Sequence, residues 1–179
     1  MNYLMVDGHK GPTSAEFASA IEALYPLAYK LKFTSKLTLD KDYVVPPLEA
    51  LWWADDMRVF TTKFNQSKWD WTAMIMVPEW ISQELFEDAL EDVRAKKNPT
   101  SLNKIRLGEL TEGMCVQTLH LGPYSEEGPV LAEMHNKFIP DNGLQMQGKH
   151  HEIYFNDFRK VSPDKLKTIL RQPVEKAVR

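Results

Sequence analysis

The sequence predicts an α+β fold made of two tandem strand-helix-strand-strand modules, which join as one curved antiparallel sheet. Helices are expected on one face and a ligand groove on the other. Three observations predict it. The stretches VDGHKGPTSAEFASAIEAL (6–24) and LHLGPYSEEGPVLAEMHNKF (119–138) share one grammar: a strand end, glycine, Gly-Pro, small or acidic residues, then an amphipathic helix. Each is followed by further short β-capable segments. The composition, 43% hydrophobic and 26% charged, is that of a folded globular chain rather than a disordered one. We expect one domain over residues 1–179 with pseudo-repeats at roughly 1–80 and 108–176, joined by a helical linker at 81–107.

Taken in order, Tyr3 to Val6 is an apolar strand closed by the turn residues Asp7-Gly8 and Gly11-Pro12. Thr13 to Glu16 reads as a capping box, and Phe17, Ile21, Leu24, Ala28 and Leu31 recur at helical spacing. Pro26 interrupts that pattern and is expected to kink or split the helix, because proline removes a backbone donor and crowds the preceding turn. DYVVPPLEALWWA is β-rich, with Pro46-Pro47 pointing to a bulge or a sheet edge, and Trp69 to Val77 is its expected hairpin partner. Ser82 caps a second helix carrying Leu85, Phe86, Ala89, Leu90 and Val93. Glu84 stands near its start and Lys96-Lys97 near its end, as the helix dipole prefers, and Asn98-Pro99 stops it. The second half gives a strand from Met114 to Leu121, a helix around 130–139, and strands at His150 to Phe155 and about Thr168 to Val174.

Several function classes are disfavoured. A net charge of −3 with scattered basic residues offers no footprint for direct nucleic-acid binding. No apolar run reaches the roughly 20 residues of a membrane span, and the start MNYLMVDG lacks signal-peptide character, so a cytoplasmic protein is expected. The single cysteine, Cys115, can form no internal disulfide and reads as a buried small residue. No Cys/His spacing suggests a metal, and the neighbours His150 and His151 cannot both point the same way from a strand. We expect no metal and no cofactor.

The chemistry-bearing stretch is GKHHEIYFNDFRK (148–160). On a strand, His150, Glu152 and Tyr154 share one face and His151, Ile153 and Phe155 the other. The Ile153/Phe155 face is expected beneath the helices, leaving Glu152 and Tyr154 toward a groove while His151 drops out. Five tryptophans lie between positions 52 and 80, which favours flat ligands. A carboxylate among aromatics can act as general acid or base, or as counter-ion for a cation; a solvent-facing strand is the plain alternative. Trp53, Glu49, Trp71 and His120 are candidate ligand contacts, and Tyr124 follows the Gly122-Pro123 turn. Glu126-Glu127 before Pro129 is explained by compensation of a helix dipole.

These residues carry a family resemblance. GKHHEIYFNDFRK followed by SPDKLKTILRQPV resembles the C-terminal signature of the GyrI-like small-molecule-binding proteins, and TLHLGPYSEE and DYVVPPLEALWW resemble their inner segments. The resemblance implies the tandem fold and a ligand-recognising glutamate in the central cleft, a position matched by Glu152. It also implies one of three roles: a drug sensor fused to a DNA-binding module, a gyrase modulator, or a stand-alone hydrolase of cyclopropane-bearing alkylating agents. With no helix-turn-helix segment ahead of the domain, the stand-alone branch is expected. Glu152, Tyr154 and Tyr124 are then the expected catalytic groups, and aromatic or cationic small molecules the partners. A non-catalytic drug-binding protein and a gyrase contact are the alternatives. NDFRK departs from the family's usual Asp-Pro-Arg turn, and contacts that depend on the N-terminal leader of longer relatives are not expected.

Overall fold

The computed structural model describes residues 1–60, 62–158 and 160–177; Arg159 of the NDFRK turn lies outside them. The chain divides into two units. One contains Met1–Leu48 and Trp53–Leu110, and the other Glu49–Trp52 together with the chain from Thr111 onward. The stretch 81–107 therefore falls inside the first unit.

In the first unit β1 (Asn2–His9) pairs antiparallel with β3 (Asp70–Val77), from Asn2 opposite Val77 to His9 opposite Asp70. Strand β4 (Arg106–Glu109) pairs with the other edge of β1. It was not expected, because four residues with a central glycine carry little alternation. Helix α1 (Ala15–Thr38) buries Phe17, Ala20, Ile21, Ala23, Leu24, Leu27, Ala28 and Leu31, and the second helix, α2 (Gln83–Lys96), packs on it with Phe86, Ala89 and Val93 buried. Pro26 does not split α1. The carbonyl its missing N–H would leave free belongs to exposed Glu22, where water can serve it.

The N-cap of α1 is Ser14, whose hydroxyl accepts from Phe17 N–H at 3.2 Å. Glu16 instead accepts from His9 N–H at 3.3 Å, so the expected Thr13–Glu16 box does not form. The Trp71 ring packs edge-on against Phe17, 5.0 Å between centroids, and lies so close to Gly8 that a Cβ there would stand 2.2 Å from the indole. Gly8 is thus required by close approach rather than by a turn.

In the second unit β2 (Leu48–Trp53) contributes Glu49–Trp52 and begins only after Pro47, since the two prolines cannot join a regular ladder. Strand β5 (Cys115–Leu121) pairs antiparallel with β8 (Lys167–Lys176), and so does β7 (His150–Tyr154). A short strand β6 (Leu144–Met146) pairs with the end of β8. In each strand-helix-strand-strand module the first strand pairs with the last, β1 with β3 and β5 with β8.

The third helix, α3 (Gly128–Glu133), continues through a π-helical turn (Met134–Phe138) into a final short turn (Ile139–Asp141). Met134 and Ile139 pack on Leu170 and Val174 of β8. Leu170 stands opposite Glu152, so the face carrying Glu152 and Tyr154 is the one the third helix covers. That reverses the expectation for Ile153 and Phe155: Phe155 is 51% exposed, and the opposite face instead holds the buried His151. Alternation separates two faces of a strand without saying which one a helix will cover.

Candidate functional site

Strand alternation in β7 sends Glu152 and Tyr154 to one side, and the start of β2 at Leu48 sends Trp52 to meet them. Tyr154 Oη donates to Glu152 Oε2 at 2.6 Å and accepts from Trp52 Nε1–H at 2.9 Å. The three side chains form a directed relay from indole to phenol to carboxylate, each bond polarising the next. Burial first, then the Glu152 charge, holds the Tyr154 proton far above the usual phenol range.

Against this relay lies the turn that leads into α3. Gly122 takes a φ of 125°, a conformation open to glycine, and directs the chain into the turn Tyr124–Glu126. The Tyr124 ring meets Tyr154 edge to face, 5.7 Å between centroids. Burial, then the charges of Glu152, Glu127 and Asp157, push the Tyr124 phenol up to about 12. Glu127 is only 6% exposed, and its Oε1 has no hydrogen-bond partner. Burial and the neighbouring Glu152 charge raise its carboxyl to about 9, so at neutral pH it keeps its proton. A carboxyl group that keeps its proton beside a second carboxyl group is an arrangement that general acid-base chemistry uses.

The same face carries more unsatisfied polar atoms. Thr168, opposite both Tyr154 and His120, is buried with an unpartnered hydroxyl. Neither nitrogen of His150 makes a hydrogen bond, although Nε2 lies 3.3 Å from Glu152 Oε1, a contact too poorly aligned to count as one. The His150 ring sits edge-on to His135 of the π-turn, 6.1 Å apart, and His135 Nε2 is also unpartnered. Burial, then His150, lowers His135 to about 4, so it is neutral. Buried polar atoms without partners are uncommon in folded proteins, and their concentration on one face marks a place where a ligand or water completes the bonding.

The other face of β7 is a contrast. His151, fully buried, binds Glu49 through Nε2 at 2.8 Å and Glu112 through Nδ1 at 3.0 Å, and Arg171 binds the far oxygen of Glu112 at 3.1 Å. Burial opposes the charge on His151, but hydrogen bonds and charge from Glu112 and Glu49 prevail and raise its pKa. Burial likewise opposes ionisation of Glu112, and His151 and Arg171 bring its pKa below the usual range.

Of the expected site residues, the structure brings Glu152, Tyr154 and Tyr124 together. His120 lies on the same face of β5, 6% exposed, with Nε2 3.1 Å from the Pro123 carbonyl. Glu49 is placed with His151 on the opposite face. Trp71 is fully buried in the first unit, where its indole donates to the His9 carbonyl at 3.1 Å. Trp53 is half-buried, also in the first unit, and alternation turns it away from the side Trp52 takes. Sequence reasoning missed Trp52, Glu127 and His150 as site residues. The strand pattern contained His150, whereas choosing Trp52 over its neighbour Trp53 took the spatial contact with Tyr154. Nothing local to Glu127 announces its burial. Among the described residues no three His, Cys, Asp or Glu side chains converge to hold a metal ion, and no helix is long and apolar enough to cross a membrane.

The duplicated strand-helix-strand-strand frame is also that of known proteins. The GyrI-like small molecule binding domain matches residues 5–175, and the chain belongs to that family. Among solved structures, it is similar to an uncharacterized conserved protein from Listeria innocua, with 42% identity, a TM-score of 0.88, and coverage of 98% of this chain and 88% of that one. A structure described as a hydrolase from Listeria innocua shares 39% identity over 98% of this chain and 87% of its own, with a TM-score of 0.84. Another, described as a hydrolase encoded by lin2189 of the same organism, shares 40% identity at the same coverages and TM-score. No curated protein matches the chain.

Proposed function

We propose that this protein hydrolyses flat, electrophilic, cyclopropane-bearing alkylating compounds and so detoxifies them, conferring resistance within the cytoplasm. The observation that carries the reading is the relay from Trp52 through Tyr154 to Glu152, with Tyr124 edge-on beside it. The hydrolase description of relatives about 40% identical supports the reaction class. Glu152, fixed by Tyr154, accepts a proton from water as the water oxygen bonds to the ring methylene. The cyclopropane C–C bond breaks, and its electron pair moves through the conjugated system to the dienone carbonyl oxygen. That oxygen takes a proton and becomes a phenol, so the net change is addition of one water. Tyr124 and Tyr154 present ring edges and faces to a planar substrate.

The test is incubation of the purified protein with a cyclopropane-fused dienone, with the ring-opened hydrate followed by mass spectrometry. Hydrate formed catalytically supports the reading. Saturable binding without hydrate replaces it with a protein that sequesters planar or cationic drugs, with Glu152 as counter-ion. Saturable binding to gyrase in place of either would make the chain a gyrase modulator.

A further inference from the structure

Glu127 belongs to no part of the relay, yet it is 6% exposed and offers an oxygen that nothing bonds. It follows directly on the turn whose Tyr124 ring lies against Tyr154. The ionisable groups that face this region are Glu152, Tyr154 and His150 of β7, His120 of β5, His135 of the π-turn, Tyr124, and Asp157 after β7, whose charge reaches Tyr124. A buried carboxylate beside a second carboxylate, with an oxygen unbonded, is costly, and the group escapes that cost by remaining a neutral acid. A neutral carboxylic acid has one O–H to donate, and the face holds no bonded acceptor for Oε1.

We propose that Glu127 is the proton donor of this site, hydrogen-bonding the carbonyl oxygen of a conjugated planar ketone and protonating it as the ring opens, opposite Glu152. The proposal rests on the hydrolase reading for the transfer itself. The electron pair of the breaking C–C bond ends on that oxygen, which takes the proton from Glu127, while the proton of water goes to Glu152. After product leaves, one proton passes from Glu152 back to Glu127 through solvent, and the enzyme is restored. The implied ligands are neutral and carry an acceptor oxygen.

The experiment is a pH–rate profile from pH 6 to 10.5 with the cyclopropane-fused dienone, for wild type, Glu127→Gln and Glu127→Asp. In the wild type kcat/KM should fall as pH rises through about 9, where Glu127 loses its proton. Glu127→Gln should lower kcat by about 100-fold or more, as loss of a general acid does, and abolish that descending limb, whereas Glu127→Asp should retain a limb. Wild-type kcat with an unchanged limb in Glu127→Gln overturns the proposal. Infrared spectra with fluorenone as an inert planar ketone keep the two readings separable. If no variant turns the dienone over, the hydrolase reading falls alone. A ketone stretch displaced to lower wavenumber by the wild type but not by Glu127→Leu then still sustains Glu127 as donor to the ligand. An undisplaced stretch removes it.

Discussion

His151 and Glu152 are adjacent in β7 and face opposite ways, and their surroundings are opposites too. Around His151 every charged group has found a partner: Glu49 and Glu112 on the two ring nitrogens, Arg171 beyond. Around Glu152 the polar atoms of Glu127, His135, His150 and Thr168 are left wanting. A closed network holds a fold together, whereas an open one costs stability and is retained where a ligand completes it. The contrast separates structural from functional polar residues more cleanly than residue type does, since each face carries histidine and glutamate.

Four measurements would break or sharpen that contrast. The largest effect is expected at Glu152: Glu152→Gln should slow hydrate formation by about 100- to 10,000-fold, the range for loss of a general base, with the folded state retained by circular dichroism. A variant as fast as wild type would end the assignment.

On the opposite face, His151→Ala leaves Glu49 and Glu112 facing one another, and breaking a buried pair costs about 3–5 kcal/mol. Urea denaturation reads it. Its pH dependence has a definite sign. The raised pKa of His151 gives stability that is complete below the unfolded value of 6.5 and fades as pH climbs through the folded one. The lowered pKa of Glu112 gives stability present above 4.5 and lost in acid. The advantage of wild type over His151→Ala should therefore be greatest between 4.5 and 6.5 and shrink on either side.

Tyr154→Phe removes the middle of the relay and breaks the hydrogen bonds that the Tyr154 hydroxyl accepts from Trp52 and donates to Glu152, at a cost of about 1–3 kcal/mol. Both thermal stability and rate should fall, which no His151-face substitution is expected to do. The most telling effect is a gain. Glu127 is protonated in the folded protein up to about 9 but ionises near 4.5 when unfolded, so it subtracts from stability as pH rises between those values. Glu127→Gln should raise the urea midpoint at pH 8 and change nothing at pH 4. A loss of stability at pH 8 would place Glu127 with the closed network instead.

Much of this could be read from residues alone. Periodicity located α1, α2 and the third helix, and alternation in HHEIY divided Glu152 and Tyr154 from His151. Other features were settled by spatial neighbours. Whether Trp52 or Trp53 meets Tyr154 depends on the strand beginning after Pro47, and a single-residue shift would exchange them. Glu127 read as a helix-dipole partner because its sequence neighbours, Gly128 and Pro129, look like a helix start; its burial follows from a turn folding back onto Tyr154.

The sequence by itself determined the duplicated frame, the helix faces and the pairing of Glu152 with Tyr154, because local periodicity and covalent alternation set these. Only the tertiary structure decided which face of β7 the third helix covers, that His151 lies in a closed ion-pair network, and that Glu127 keeps its proton. Burial and electrostatic environment belong to residues far apart in the chain, and no local pattern encodes them.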